Sequence, residues 1–303
     1  MLRCRSCGHF VALHPPHAAA DDYHEQYEEG AFVASLAATR ARQAAALVRA
    51  LGRLPFDAEA RVLDFGCGRG YFLRALRDAA VPCAGADLSP KAIALVRELG
   101  VVARRIASLG AAALAGLRAE LPFTPTVVSL LDVIEHFEPD ALADTLALLG
   151  DTFADSLEYL VVKVPVSNGV LFRSARALAR VGLVEPLLQL FQTGTFPPHR
   201  HYFSRRSLDR LIWRLRFVPV LAWEDADFEP DRFTDRIQAL RGWARPVGAL
   251  LGHTFDLGGR LLGRDTVILV AAPARHAINA GADDANAAER RSSGIGARTA
   301  RRE

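Results

Sequence analysis

The stretch VLDFGCGRGYF, residues 62–72, constrains the fold of this chain more than any other. A short apolar run ends at Phe65, and three glycines follow within five positions, at Gly66, Gly68 and Gly70. Glycine has no Cβ, so it adopts left-handed dihedrals easily and lets a ligand approach the backbone closely. In a doubly wound sheet the ligand lies where the first strand turns into its helix. The stretch therefore predicts a ligand-binding loop between a strand and a helix.

The acidic residues around this loop indicate the kind of ligand. Asp87 comes 21 residues after Gly66, where a carboxylate at the end of a second strand accepts hydrogen bonds from ribose hydroxyls. Dinucleotide enzymes usually show G-x-G-x-x-G, whereas here the third glycine comes one residue early and Asp64 precedes the loop. A carboxylate at that point favours a ligand with an ammonium group and opposes a pyrophosphate. A nicotinamide-dependent oxidoreductase is therefore the alternative, disfavoured by this spacing.

Strands and helices alternate on both sides of the loop. Apolar residues at helical spacing predict a long helix over residues 31–54, and Ser89 with Pro90 has the pattern of a helix start. A further helix is predicted over residues 71–79. The predicted strands of this half cover residues 61–65, 82–87, 101–106, 126–131 and 158–165.

The second half of the chain contains a long interruption at residues 166–203, which predicts a lid or substrate region. Ser204 then caps a helix, and another helix is predicted over residues 233–251. The last two strands are predicted at residues 217–223 and 265–272, paired antiparallel at one edge. The predicted fold is α/β: a doubly wound, seven-stranded, mostly parallel sheet with helices on both faces and an antiparallel edge strand. Residues 273–303 lack periodicity and are predicted to be disordered.

Composition limits the partners. The net charge of +3 on 303 residues argues against a nucleic-acid partner. No apolar run approaches the ~20 residues of a membrane-spanning helix. Four scattered cysteines without a paired framework favour a reducing cytoplasm. One main domain is expected, and the sequence predicts no oligomeric state.

Four segments resemble the class I S-adenosylmethionine-dependent methyltransferases. They are LDFGCGRG, GADLSPKAI, VVSLLDVIEHF and the late HRHYFSRRSLDRLIWRLRFVPV, which is similar to the branch that methylates small molecules and sugars. The resemblance implies a methyltransferase domain over residues 31–272 with a Rossmann-like sheet, and S-adenosylmethionine as its cofactor. The implied cofactor-binding residues are Asp64, Phe65, Gly66, Cys67, Gly68, Asp87, Leu88, Asp132 and Val133.

The motif DVIEH carries the candidate catalytic groups. If it is helical, Asp132, Glu135 and His136 share one face. His136 could take a proton from a substrate hydroxyl, because an unperturbed histidine pKa near ~6.5 suits proton transfer. We therefore assign His136, Glu135 and His201 as catalytic, and we assign no metal.

Two other interpretations of this motif stay open. The same side chains, joined by His199 or His201, could bind a divalent ion. Such a site resembles the metal centre of the small-RNA 3′-terminal 2′-O-methyltransferases, which have Glu in place of Asp132. An acidic-histidine turn can also serve only to cap a helix.

Two further patterns point away from the loop. Cys4 and Cys7 form a C-x-x-C, half of a zinc ribbon, inside an otherwise irregular segment at residues 1–30. Related methyltransferases often begin with two such pairs. Arg173, Arg176 and Arg180 share one face of a predicted helix, which either contacts a membrane surface or packs over the active site.

The predicted function is transfer of a methyl group from S-adenosylmethionine to a small hydroxylated acceptor, such as a sugar, a polyketide or a quinol, by O-methylation. The alternatives are a divalent-metal-dependent RNA 2′-O-methyltransferase, the nicotinamide-dependent oxidoreductase and a non-catalytic S-adenosylmethionine-binding protein.

Overall fold

A computed structural model describes residues 1–12, 31–57, 59–192, 197–233 and 245–275. Most of the predicted tail and of the segment between the C-x-x-C and the first long helix lies outside these ranges. None of the described helices is long and apolar enough to cross a membrane.

The described residues form ten strands and nine α-helices. The strands are β1 (Leu2–Arg3), β2 (Phe10–Val11), β3 (Val62–Phe65), β4 (Cys83–Asp87), β5 (Val102–Arg105), β6 (Val127–Leu131), β7 (Tyr159–Pro165), β8 (His201–Tyr202), β9 (Phe217–Asp225) and β10 (Thr266–Pro273). The helices are α1 (Ala31–Leu51), α2 (Tyr71–Asp78), α3 (Pro90–Glu98), α4 (Ala111–Glu120), α5 (Leu142–Thr152), α6 (Val170–Arg180), α7 (Glu185–Leu190), α8 (Arg205–Arg214) and α9 (Arg245–Leu262). Single 3₁₀ turns lie at Ile134–His136 and Pro230–Arg232.

Seven strands form the main sheet, in the order β5-β4-β3-β6-β7-β10-β9. The first five pair in parallel, whereas β10 runs antiparallel to both β7 and β9. The predicted seven-stranded, mostly parallel sheet is therefore confirmed. The antiparallel strand β10 is not the edge strand, because β9 lies outside it and forms the edge. All eight residues of β10 are buried, whereas β9 is partly exposed.

Helices cover both faces of this sheet. Leu47, Leu73 and Ile93 from the first three helices pack on one face with Val62 of β3. Leu114, Leu146 and Leu208 pack on the other face, against residues such as Leu63. Because neighbouring residues of a strand point to opposite faces, the apolar run of β3 contributes to both layers. Helices α4 and α5, which the sequence patterns did not predict, complete the second layer.

A second, small sheet has the order β1-β2-β8. Residues 1–12 were predicted to be irregular, but part of this segment forms a hairpin whose strand β2 pairs with β8. The Ala12 amide also donates to the Arg200 carbonyl at 2.8 Å. Phe10 lies against Phe172 and Tyr202, so the hairpin rests on the 166–203 region, where α6, α7 and β8 are found.

The loop between β3 and α2 has left-handed backbone at all three of its glycines. Gly66, Gly68 and Gly70 have φ of 75°, 49° and 73°. A Cβ on Gly70 would lie 2.9 Å from Leu99 Cδ1 and 3.0 Å from Val96 Cγ2. Glycine is therefore required at this position both for its dihedral angles and for the packing of α3.

We predict that Gly70→Ala lowers the free energy of unfolding by about 2–3 kcal/mol, from the left-handed backbone and the crowding of α3 together. Gly100→Ala is the matched control, because Gly100 has φ of 75° with nothing within 4 Å of an added Cβ. The control should lose only about 1 kcal/mol. Urea unfolding of both variants measures the difference, and equal losses would show that contact with α3 does not restrict this glycine.

Candidate active site

A cavity of about 1500 Å³ lies beyond the carboxyl ends of the parallel strands. It reaches from the loop after β3 to helices α6, α7 and α9. All nine residues predicted to bind the cofactor line it: Asp64, Phe65, Gly66, Cys67, Gly68, Asp87, Leu88, Asp132 and Val133. The structure therefore brings the three separate sequence motifs to one place, as expected for strands that end at the same edge of a sheet.

The glycine loop presents bare backbone to this cavity. Gly66 and Gly68 line it, and their left-handed dihedrals are ones that L side chains rarely adopt. A Cβ on Gly66 would also lie 2.5 Å from Val133 Cγ2. Glycine is therefore required at position 66 both by its backbone conformation and by close packing against Val133, which follows β6.

Asp87 connects the glycine loop to the start of helix α3. Its Oδ2 accepts a hydrogen bond from the Gly68 amide at 2.9 Å, and its Oδ1 accepts one from the Ser89 amide at 2.8 Å. Ser89 in turn caps α3 by accepting from the Ala92 amide. The carboxylate is thus held in one orientation at the wall of the cavity.

Asp64 is buried at the end of β3, where Ser129 Oγ donates to its Oδ1 at 2.7 Å. The pKa of the Asp64 carboxyl is raised to about 7, mainly by burial and also by the charges of Asp87 and Asp132, while the Ser129 hydrogen bond acts in the opposite direction. A nearby cation would favour the ionised form of Asp64.

Asp132 is held by two cations. Lys163 Nζ lies 2.9 and 2.8 Å from its two carboxylate oxygens, and Arg40 Nη1 lies 2.7 Å from Oδ2. Arg40 also contacts Asp227 at 3.0 Å. Asp132 has a φ of 58°, an uncommon value for a residue other than glycine. These contacts hold a strained residue in place beside the cavity.

Lys163, Arg40 and Asp227 also line the cavity, although the sequence patterns did not predict them there. Lys163 had a signal: it is one of only two lysines, and it interrupts the apolar strand YLVVKVP. Its side chain is 3% exposed. Arg40 lies on α1, and Asp227 follows the edge strand β9. No local sequence pattern distinguishes either residue.

Glu135 lies in a 3₁₀ turn rather than in the helix that the sequence spacing assumed. Its side chain is fully buried, and neither carboxylate oxygen accepts a hydrogen bond from another described residue. Burial, followed by the charge of Asp132, raises the pKa of Glu135 well above its usual range. The protonated form is therefore favoured.

His136 has one ring nitrogen fixed by the backbone. Its Nδ1 lies 3.0 Å from the Pro198 carbonyl oxygen. A carbonyl only accepts, so Nδ1 carries the hydrogen and Nε2 keeps its lone pair when the ring is neutral. Burial lowers the pKa of His136 to about 4, so the ring is neutral near pH 7.

His199, rather than His201, joins these groups. The possible ligand atoms of Glu135, His136 and His199 all lie within 4.8 Å of one another. The rings of His136 and His199 meet edge to face, with centroids 4.8 Å apart. Asp132, engaged by Lys163 and Arg40, is not part of this group.

His201 does not line the cavity. Its Nε2 lies 3.0 Å from the Phe137 carbonyl oxygen, and its Nδ1 lies 3.0 Å from His9 Nε2. Both ring nitrogens therefore connect β8 to neighbouring segments, which is a structural arrangement. The catalytic assignment of His201 has no support from its position.

Cys4 and Cys7 lie in the hairpin turn, far along the chain from the glycine loop. The Gly8 amide donates to the Cys4 carbonyl at 3.0 Å, and both thiols are free. The described residues add no third ligand to this pair, and the half zinc ribbon stays a prediction.

Comparisons with known proteins give one family. A family model described as a methyltransferase domain matches residues 36–221. No curated protein is significantly similar in sequence.

Three similar solved structures are each less than 20% identical in sequence to this chain. A SAM-dependent methyltransferase from Archaeoglobus fulgidus is 19% identical, with a TM-score of 0.47, and the match covers 77% of this chain and 94% of that one. Magnesium protoporphyrin IX methyltransferase from Synechocystis PCC 6803, with bound SAH, is 15% identical, with coverages of 83% and 93% and a TM-score of 0.48. A cyclopropane synthase from Mycobacterium tuberculosis is 18% identical, with coverages of 76% and 84% and a TM-score of 0.48.

We predict that binding of S-adenosylhomocysteine strengthens as the pH rises through about 7. Its ammonium group is predicted to pair with ionised Asp64, and below the pKa of about 7 that carboxyl must first lose a proton. Affinity should be roughly 30-fold weaker at about pH 5.5 than at about pH 8. Calorimetry in two buffers of different ionisation enthalpy measures both the affinity and the released proton.

Asp64→Asn is the control for this experiment, since Asp265 also lines the cavity and burial raises its pKa to about 7. The variant should bind weakly without a pH dependence in this range. His136, with its pKa of about 4, does not titrate there. A pH dependence that survives in Asp64→Asn would refute the ammonium assignment.

Proposed function

This chain belongs to the methyltransferase domain family, and we propose that it methylates a hydroxyl group of a small acceptor. It is an S-adenosylmethionine-dependent methyltransferase domain. The observation that supports a hydroxyl acceptor is the state of His136, which is neutral, anchored through Nδ1 and positioned in the cavity with Nε2 as its basic atom.

The residues around the loop fit the cofactor. Bare backbone at Gly66 and Gly68 leaves room for it, the oriented carboxylate of Asp87 suits ribose hydroxyls, and Asp64 suits an ammonium group. Leu88 and Val133 provide apolar contact. When bound, S-adenosylmethionine supplies a methyl group activated by its positively charged sulfur.

The protein's part in the reaction is to orient the acceptor, to take its proton and to exclude water. His136 Nε2 accepts the hydroxyl proton. Because its pKa of about 4 makes it a weaker base than an unperturbed histidine, we expect the lower end of the roughly 10²–10⁴-fold acceleration that general-base assistance provides. Glu135, favoured in its protonated form, can donate a hydrogen bond that orients the acceptor. Positioning provides the larger share of the rate, because it replaces a bimolecular encounter.

The cavity favours an apolar acceptor over a bare sugar. Its walls beyond the glycine loop include Phe172, Leu188, Phe233 and Phe255. Its volume of about 1500 Å³ exceeds the roughly 300–1,000 Å³ of a typical small-molecule pocket, so it can hold an acceptor beside the cofactor. Among the predicted acceptors, a polyketide or a quinol fits these walls better.

A second candidate function is methylation assisted by a divalent ion, as in the RNA 2′-O-methyltransferase alternative. The juxtaposition of Glu135, His136 and His199 supports it, because oxygen and imidazole ligands suit such an ion. The backbone contact of His136 Nδ1 is the kind that orients a histidine ligand. Binding of the ion would have to displace the proton of Glu135.

We predict that His136→Ala lowers the turnover number by about 10²-fold and changes the affinity for S-adenosylhomocysteine by less than about twofold. His253→Ala, on the exposed face of α9, is the control and should leave both unchanged. Transfer of labelled methyl to a panel of quinols, polyketides and sugars measures turnover, and calorimetry measures affinity.

Several results would contradict the proposal. Equal losses of turnover and affinity in His136→Ala would indicate a structural histidine. Cofactor binding without transfer to any acceptor would favour the non-catalytic interpretation. Binding of NAD in place of S-adenosylhomocysteine would support the alternative function of a nicotinamide-dependent oxidoreductase.

Chelation separates the two candidate functions. We expect EDTA to leave the transfer rate within about twofold if His136 acts as a base without a metal. A loss that Mn²⁺ restores in the parent protein but not in Glu135→Gln would favour the metal-assisted reaction. Asp144→Asn, an exposed change of the same kind on α5, controls for the altered charge.

A further inference from the structure

Four arginines cluster at α6: Arg173, Arg176 and Arg180 lie on the helix and Arg3 lies in β1. Arg3 and Arg176 both lie over the ring of Phe10, with their Cζ atoms 5.6 and 5.5 Å from its centroid. Burial and then the positive charges of Arg180, Arg3 and Arg173 lower the pKa of Arg176, so all four lie close enough to repel one another. None of them forms an ion pair with a carboxylate in the part of the chain that the structure describes. We call these residues the arginine cluster.

An exposed apolar turn adjoins this cluster. It connects α6 to α7, and together with the adjoining helices it carries five exposed aliphatic side chains: Leu178 on α6, Val181, Leu183 and Val184 in the turn, and Leu188 on α7. Val181, which directly follows Arg180 in the chain, is 75% exposed. We call these five residues the apolar tip. Glu185 is the single carboxylate in residues 170–190, which also hold three arginines.

The apolar tip also lies at the mouth of the cavity. Leu178 and Leu188 are exposed to solvent and line the cavity at the same time. On the other side of α6, Arg173 Nη1 donates to the Leu262 carbonyl, so the exposed end of α9 continues the same surface. A molecule that covers the tip would therefore face the entrance to the candidate active site.

We propose that the arginine cluster and the apolar tip together dock this protein on the surface of an anionic membrane. A lipid bilayer offers negative headgroups above hydrocarbon, and this surface offers arginines beside aliphatic side chains in a matching arrangement. A nucleic acid would match the arginines alone. The described helices contain no membrane span, so the association is peripheral.

The proposal gives the acceptor a route into the cavity. An apolar acceptor dissolved in the bilayer would reach the cavity mouth between Leu178 and Leu188 without crossing water. This consequence rests on the proposed function, whereas docking itself does not. Vesicle binding can therefore fail or succeed independently of methyl transfer.

Flotation of the full chain with vesicles tests the proposal. We expect binding to vesicles of phosphatidylglycerol and phosphatidylcholine, and at least tenfold weaker binding to phosphatidylcholine alone. Arg173→Gln/Arg180→Gln should weaken binding to the anionic vesicles by about 30-fold, because each basic residue near such a surface strengthens binding about fivefold. Val181→Asp/Leu183→Asp should also weaken it, by removing the inserted side chains.

The matched control is Arg53→Gln/Arg214→Gln. Both arginines are exposed. Arg53 lies in the segment between α1 and β3, and Arg214 ends α8 just before β9, so both are near the amino ends of the strands, opposite the cavity. The control should bind vesicles like the parent protein. Calorimetry with S-adenosylhomocysteine shows that each variant remains folded with an intact cofactor site.

Three results would overturn the proposal. They are absence of binding to anionic vesicles, equal weakening by the control, and normal binding of both test variants. If the parent protein binds single-stranded RNA but not vesicles, and Arg173→Gln/Arg180→Gln loses the RNA binding, the arginine cluster binds a nucleic acid instead.

Discussion

Repulsion between carboxyl groups at one edge of the sheet is the constraint on which the site depends. Asp64, Asp87, Asp132 and Glu135 are four of the carboxyl groups that line the cavity. Three different solutions keep them together. Asp132 stays charged between Lys163 and Arg40, Asp87 accepts two backbone amides, and burial shifts Asp64 and Glu135 towards their protonated forms. A positively charged ligand relieves the same repulsion, which suits a sulfonium cofactor.

The part of the site that was predictable from sequence is the part with local causes. An apolar run, three glycines and the Ser89–Pro90 start of α3 each act within a few residues, and the structure places β3, α2, β4 and α3 close to the predicted ranges. Parallel strands end at a common edge, so residues that follow β3, β4 and β6 had to meet. All nine predicted cofactor residues line the cavity for that reason.

The rest depends on which distant segments become neighbours. Lys163 meets Asp132 because β7 lies beside β6, and Arg40 reaches the same carboxylate from α1. The choice between His199 and His201 depends on β8, which pairs with a hairpin more than 180 residues earlier in the chain. No local pattern indicates that pairing. The apolar residues of α4 and α5 were visible, but the sequence patterns did not separate their helices from the surrounding loops.

The left-handed backbone of Asp132 has a consequence for how this family member can diverge. Aspartate and asparagine tolerate that conformation better than longer residues do, and of the two only aspartate can be an anion for Lys163 and Arg40. Substitution of Asp132 by glutamate would keep the charge but would add backbone strain of about 1–2 kcal/mol. Evolution at this position is therefore coupled to the lysine and the arginine, and we expect all three to be exchanged together or retained together.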